Sequence, residues 1–234
     1  RRTARLELMR APPLARVDWR AAYRIVPSRF PPVGVFDRIA DPRDLEALYA
    51  LESLTNDRLR NEVGALHLVP PERRIAGPGT TPVMAAFTHV NPEGSRFSDG
   101  SYGVFYAAHD RDTAIDETVY HRERFLARTH EPPTDVEMRC YGTRILARLH
   151  DVRGGWPAMH SPTSYAASQK LGVMLRAQGS DGLVYDSVRR HGGECVGVFH
   201  PDRVAPCVQR GHYLYRWNGE RISAVLEIGA IRER

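Results

Sequence analysis

Residues 209–228 constrain the fold more tightly than any other stretch of the chain. Two runs rich in aromatic and β-branched side chains, 209–217 and 221–228, are separated by Asn218-Gly219. An Asn-Gly pair supplies the two positive-φ residues that a tight hairpin turn needs, so this stretch commits the chain to antiparallel sheet. A second pair of strands is expected at 182–188 and 195–200, joined across 189–194, where Gly192-Gly193 suits a reversal. Further strands are predicted over 21–26, 83–89 and 102–108, over the alternating Val136, Met138 and Cys140, and over 145–152.

Helical spacing appears in three places. Asp41-Pro42 reads as a cap and first-position proline ahead of Leu45, Leu48, Leu51, Leu54 and Leu59, a helix ending near Gly64. Asp110 or Asp112 caps a second helix through Ala114, Ile115, Val119 and Phe125, and Ser164 opens a third through Ala167, Leu171 and Leu175, with Gly179 at its C-terminal cap. No repeat and no shift in composition separates two cores. The expected fold is therefore one α+β domain over residues 20–234, preceded by a basic extension over residues 1–19.

Charge narrows the partners. The formal net charge is +5, and residues 1–24 hold seven arginines against Glu7 and Asp18, so the whole excess lies there and the body is balanced. A balanced body argues against direct nucleic-acid binding, because the steering field of a basic fold is missing. No apolar run approaches the roughly 18 residues needed to cross a bilayer, which excludes a membrane helix on this reading, and no basic start leads into an apolar secretory signal. Three cysteines, Cys140, Cys195 and Cys207, cannot form a disulfide scaffold in 234 residues, so a reducing, cytoplasmic location is expected.

Several familiar chemistries lack their residues. Neither H-E-x-x-H nor C-x-x-C occurs, and no metal is expected. Gly179-Ser180-Asp181-Gly182 places its serine at the wrong offset for a hydrolase elbow. Gly77-Pro78-Gly79-Thr80-Thr81 has no lysine to reach a phosphate. What stands out is residues 88–118. Arg96 lies in a Gly- and Ser-rich loop between two apolar segments, where a guanidinium can fork onto a phosphate or carboxylate. Glu117 falls near the inward face of the following helix, either as a capping or ion-pairing residue or as a buried functional acid. Tyr106 and His89, taken alone, read as a packed strand residue and a strand-end histidine.

The run S-R-F-x-x-G-x-x-G-V-x-Y-A-A from Ser95 to Ala108, then A-x-x-E at Ala114 to Glu117, then G-L-V-Y-D-S-V at Gly182 to Val188 resembles the RES domain family. The arginine, glutamate and serine that name that family fall on Arg96, Glu117 and Ser187. Tyr23-Arg24-Ile25 is similar to the family's early Y-R strand, and Tyr106 takes the place of its aromatic residue. The resemblance spans about residues 20 to 205. It implies a fold like the ADP-ribosyltransferases, with mixed and antiparallel sheet, flanking helices and a C-terminal hairpin. The implied protein is a bacterial toxin of a type II toxin–antitoxin pair that consumes NAD+ as substrate, uses no metal, and has an Xre-like helix-turn-helix antitoxin as partner.

The chemistry suits those residues. Breaking the nicotinamide–ribose bond develops positive charge on the sugar, which a fixed carboxylate such as Glu117 stabilises. Arg96 and Arg24 offer forked donors for the two phosphates. Tyr106 is expected to stack on the nicotinamide ring, His89 to hold the adenosine side, Tyr23 to be a further NAD+-binding residue, and Ser187 to bond Glu117 or the nicotinamide amide. The ADP-ribose acceptor is expected to be a target protein, such as a nucleotide-metabolism enzyme, with water or phosphate as the alternative acceptors. A non-enzymatic regulatory binding module is the competing class.

Overall fold

A computed structural model describes residues 11–28, Asp37 and residues 64–229. Within them the chain forms seven strands: β1 (Leu14–Pro27), β2 (Phe105–Ala108), β3 (Thr134–Asp151), β4 (Gly182–Asp186), β5 (Glu194–Val198), β6 (Val208–Trp217) and β7 (Ile222–Ile228). Three α-helices accompany them, α1 (Thr81–Thr88), α2 (Arg111–Arg128) and α3 (Ala166–Ala177). The fold is α+β, as expected.

The strands join in the order β1-β2-β5-β4-β3-β6-β7, and β1 also pairs with β3. That last pairing closes β1, β2, β5, β4 and β3 into a ring, with β6 and β7 continuing outside it. The 18-residue β3 makes this possible. One of its edges carries β1, while the other takes β6 along 134–142 and β4 at His150 and Asp151. Only β3 and β4 run parallel; every other pairing is antiparallel.

Each face of the sheet has its own apolar layer. Val17, Trp19, Ala22, Phe105, Ile145 and Val196 pack with α1 residues Val83, Met84 and Phe87. On the opposite side Phe97, Met138, Tyr185 and Tyr215 pack with Ala114 of α2 and with Leu171 and Leu175 of α3. Alternation in β1 is broken by a bulge between Trp19 and Ala22, which puts Ala22 and Arg24 on the α1 side and Tyr23 and Ile25 on the other.

Several sequence expectations meet the structure directly. Both hairpins form, β4–β5 and β6–β7. Asp110 rather than Asp112 caps α2, its carboxylate accepting from Thr113 N at 2.8 Å and Thr113 Oγ1 at 2.7 Å. Gly179 has φ of +77° past the end of α3, while Ser180 N donates to Leu175 O at 3.0 Å, the left-handed helix stop that glycine permits.

Four expectations are corrected. Residues 83–89 are not a strand but α1 and its cap, begun by Pro82 in the first turn. Helix and buried strand are indistinguishable in a short apolar run, and this helix is covered on most sides, with Val83, Met84, Ala86, Phe87 and Thr88 all buried. The strand expected over 21–26 starts at Leu14, so 14–19 of the expected extension are part of the sheet. The two runs at 136–140 and 145–152 are one strand, because Gly142 and Thr143 stay in the ladder against Tyr23 and Ala22. Of 102–108 only Phe105–Ala108 is strand: Gly103 passes so close to α1 that a Cβ would stand 2.3 Å from Ala86 O. The helix expected from Asp41 lies outside the described residues.

Candidate active site

β1 and β2 pair at a single position, Tyr23 with Ala108. Beyond it they part, and the Arg24 side chain crosses the gap to donate from Nη1 to Tyr106 O at 3.1 Å. Two cavities open at this splay. One, about 320 Å³, is lined by Tyr23, Arg24, Arg96, Tyr106, Glu117 and His121 among others. The larger, about 860 Å³, is lined by Arg24, Tyr106, His89, Arg139 and Tyr141 among others. Arg24, Val26, Pro27, Ser95 and Tyr106 belong to both walls, so the two cavities adjoin at Arg24 and Tyr106.

Glu117 and Ser187 are brought together although 70 residues apart: Ser187 Oγ donates to Glu117 Oε1 at 2.6 Å. Ser187 sits just past β4, only 9% exposed. Its hydroxyl also accepts from Arg189 N and Arg190 N, each at 3.1 Å, so its proton is free only for Glu117. The turn is pinned to α2 a second time by Arg190, which reaches Asp116 and Asp112 at 3.0 Å each. Glu117 sits beside two buried groups, the Cys195 thiol and the Tyr185 phenol. Burial first, and Glu117's negative charge among the further causes, push both pKa values well up.

Arg96 is 6% exposed. Its Nη1 donates to Met159 O at 3.1 Å and Ser161 O at 3.2 Å, and its guanidinium lies 4.6 Å from the Tyr165 ring centroid. Neither nearby carboxylate pairs with it, since Glu93 is held by Arg128 and Asp99 by Ser101. Nη2 is shielded from solvent and has no partner. The arginine is thus fixed as a buried cation with one guanidinium nitrogen unpartnered beside the Glu117 cavity.

Its loop is held with corresponding rigidity. Tyr106 Oη bonds both Ser95 Oγ at 2.8 Å and Phe97 N at 2.9 Å. Tyr102 Oη donates to Phe97 O at 2.6 Å, and Gln169 Nε2 to Ser95 O at 3.1 Å. Gly172 of α3 lets the loop approach: a Cβ there would stand 2.1 Å from Phe97 O. Burial pushes the Tyr106 phenol up to about 12, so it is a neutral hydroxyl positioning Arg96.

Sequence reasoning did not single out His121, one turn beyond Glu117 on α2 and on the small cavity's wall. The i, i+4 spacing was the available signal. Its pKa is pushed down to about 4, first by loss of hydration and then by the cations of Arg189, Arg122, Arg96 and Arg124. Arg139 was also missed. Tyr23 lines the small cavity, 5.5 Å from the Arg111 guanidinium. Exposed His89 caps the end of α1 and lines the large cavity, away from Glu117's wall. Among the described residues no group of three or more His, Cys, Asp or Glu could hold a metal ion, and no helix is long and apolar enough to cross a membrane.

Comparison with known proteins finds the following similarities among others. The RES domain family model matches residues 71–218. The Uncharacterized protein y4oC of Sinorhizobium fredii (strain NBRC 101917 / NGR234) is 36% identical over 205 residues, covering 86% of this chain and 84% of that protein. A crystal structure of the M. tuberculosis MbcT-MbcA toxin-antitoxin complex is similar at a TM-score of 0.46 with 10% identity, covering 88% of this chain and 87% of that one. A family match over well over half the chain, containing Arg96, Glu117 and Ser187, together with that identity to y4oC, means that the chain belongs to the RES domain family.

Proposed function

We propose that the protein is a toxin that cleaves the nicotinamide–ribose bond of NAD+ and passes the ADP-ribose to an acceptor, a target protein side chain. The observation that carries this reading is the Ser187–Glu117 hydrogen bond of 2.6 Å on the wall of a cavity it shares with the buried cation of Arg96. In the reaction the bond between ribose C1′ and the nicotinamide nitrogen breaks, and its electron pair leaves with nicotinamide, which departs neutral. The acceptor's lone pair then closes on C1′ and its proton is released. No acid is needed at the leaving group, so one carboxylate suffices where glycoside hydrolysis uses two.

Ser187 fixes one carboxylate oxygen of Glu117 and leaves the other to face the ribose, where it stabilises the developing positive charge. Tyr23 and Tyr106 flank the nicotinamide, and Arg96, its Nη1 taken by Met159 O and Ser161 O, offers its remaining Nη2 rather than a full fork to the nearest substrate phosphate. On this reading the rest of the dinucleotide extends past Arg24 into the large cavity, with His89 on the adenosine side. Free activity of this kind depletes a cell of NAD+ or modifies its proteins, so the reading includes an antitoxin partner of the Xre-like helix-turn-helix class and a cytoplasmic setting.

The test is direct. Pure protein incubated with NAD+ releases nicotinamide, and adenine-labelled NAD+ added to a lysate leaves its label on protein. Release of nicotinamide with all label recovered as free ADP-ribose or its 1″-phosphate would move the acceptor to water or phosphate. Absence of nicotinamide release with and without lysate would end the enzymatic reading in favour of a binding module.

A further inference from the structure

The large cavity contains two arginines that no carboxylate of the described residues pairs with. In the β1–β3 ladder Arg24 stands opposite Tyr141, and Val26 opposite Arg139. Side chains of directly paired and alternate residues share a face, so Arg24, Val26, Arg139 and Tyr141 leave the sheet together, and all four line the large cavity. Arg24 and Arg139 are diagonal neighbours on that face, about 7–8 Å apart.

Both guanidiniums are incompletely satisfied. The Nε of each is shielded from solvent and has no hydrogen-bond partner. Among the described residues Arg24 bonds the Tyr106 carbonyl, and it lies 5.0 Å from the Phe105 ring centroid. The carboxylate on this cavity wall, Asp37, is occupied by Thr81 N at 2.9 Å and Thr81 Oγ1 at 2.7 Å. Protein interiors rarely hold cationic groups with unused donors unless something else completes them.

We propose that Arg139, with Arg24, forms a face for a nucleoside diphosphate, Arg139 being a substrate-binding residue of this site. Two forked cations at that spacing suit two adjacent phosphate groups, whereas a single carboxylate would engage only one of them. Apolar wall around them, including Val26, Pro82, Ala85 and Tyr141, gives a base its surface. The assignment rests on the reading above in one respect: the nicotinamide end is what enters the smaller cavity past Arg24.

The experiment is titration calorimetry of the full chain and of Arg139→Gln with ADP, which carries the diphosphate and no nicotinamide, and with AMP. ADP should bind the unaltered protein, and Arg139→Gln should weaken it about tenfold or more, the loss expected for charge-assisted hydrogen bonds; AMP should weaken less. Arg139→Lys keeps the charge and loses the fork, serves if the glutamine form does not fold, and should also weaken ADP severalfold. A kinetic arm compares NAD+ with nicotinamide riboside, which has no phosphate: the ratio of their kcat/KM values should fall about tenfold in the variants. ADP that does not bind, or binds unaltered protein and variants equally, overturns the assignment. ADP binding that depends on Arg139 in a protein that releases no nicotinamide keeps the diphosphate face and removes the NAD+-cleaving reading instead.

Discussion

Glu117→Gln separates catalysis from architecture at the centre of this site. The amide is nearly isosteric with the carboxylate and keeps an oxygen to accept from Ser187 Oγ, now at 2.6 Å from Glu117 Oε1. Helix propensity barely changes, since glutamine and glutamate rank together. The structural cost is the difference between a hydrogen bond to a charged acceptor, about 1.5–3 kcal/mol, and one to a neutral acceptor, about 0.5–1.5 kcal/mol. That amounts to about 1 kcal/mol, or a fall in Tm of about 2–4 °C in a chain of this size. The catalytic cost is larger, because a neutral amide does not answer the positive charge that forms on the ribose. Removing one stabiliser of a transition-state charge typically costs about a hundredfold to a thousandfold in rate, about 2.7–4 kcal/mol. Nicotinamide release under saturating NAD+, measured beside a thermal melt, reads both numbers. A rate within a few-fold of the unaltered protein refutes the assignment of Glu117, and so does a large loss of Tm that accounts for the lost activity.

Tyr106→Phe keeps the ring and removes the hydroxyl that binds Ser95 Oγ and Phe97 N; with Phe97 N–H left unpaired the cost is about 1–3 kcal/mol, and nicotinamide release should fall as the Arg96 loop loosens, whereas unchanged melting and rate would leave only the ring with a role. Gly172→Ala replaces a poor helix former by the best one, an ordinary gain of about 1 kcal/mol, yet its Cβ would stand 2.1 Å from Phe97 O; both Tm and activity should drop, and a rise in Tm contradicts the proposed close packing. His121 has a pKa of about 4 in the fold against 6.5 for the free side chain, so the unfolded chain takes up the proton first as pH falls. Its contribution to stability is complete above about pH 6.5 and is lost progressively down to about pH 4, and urea midpoints across that window should decline less steeply in His121→Gln; parallel profiles would discount the arginine field around it.

Local signals were legible where a single residue type performs the task. Asn218-Gly219 announced its hairpin, Asp110 its helix, and Gly179 the end of another, because each of these is chemistry within a few residues. Residues 83–89 misled for the opposite reason: a helix enclosed by protein on most sides shows no polar stripe, so only its partners distinguish it from a strand. The length of β3 was hidden by Gly142-Thr143, which looks like a break until β1 is laid against it. Arg96 and Glu117 stood out from their local pattern, but Ser187 entered only through the family resemblance, and nothing in a spacing of 21 and then 70 residues requires that the three lie near one another. Arg139 had no signal at all. Its significance comes from standing diagonally across a strand pair from Arg24, and that register is set by the whole ring of strands.

The same ring explains why so much structure surrounds one guanidinium. Arg96 is positioned by carbonyls of the segment before α3, by the Tyr165 ring, and by a loop that Tyr106 of β2, Tyr102, Gln169 and Gly172 hold from different elements. Glu117 is positioned from the other side by the β4–β5 turn, itself tied to α2 through Arg190. Neither charged group needs the other to stay in place, and no direct bond joins them among the described residues. Had they paired, each would have neutralised the field that the other presents to a ligand. Held apart by separate scaffolds, the cation and the carboxylate keep their charges directed at the cavity between them, which on the proposed reading leaves little reorganisation for the step in which the sugar becomes positive. A substitution that lets Arg96 reach Glu117 should therefore cost activity while leaving stability equal or higher, which is the sign expected when a site stores unpaired charge for use on its substrate.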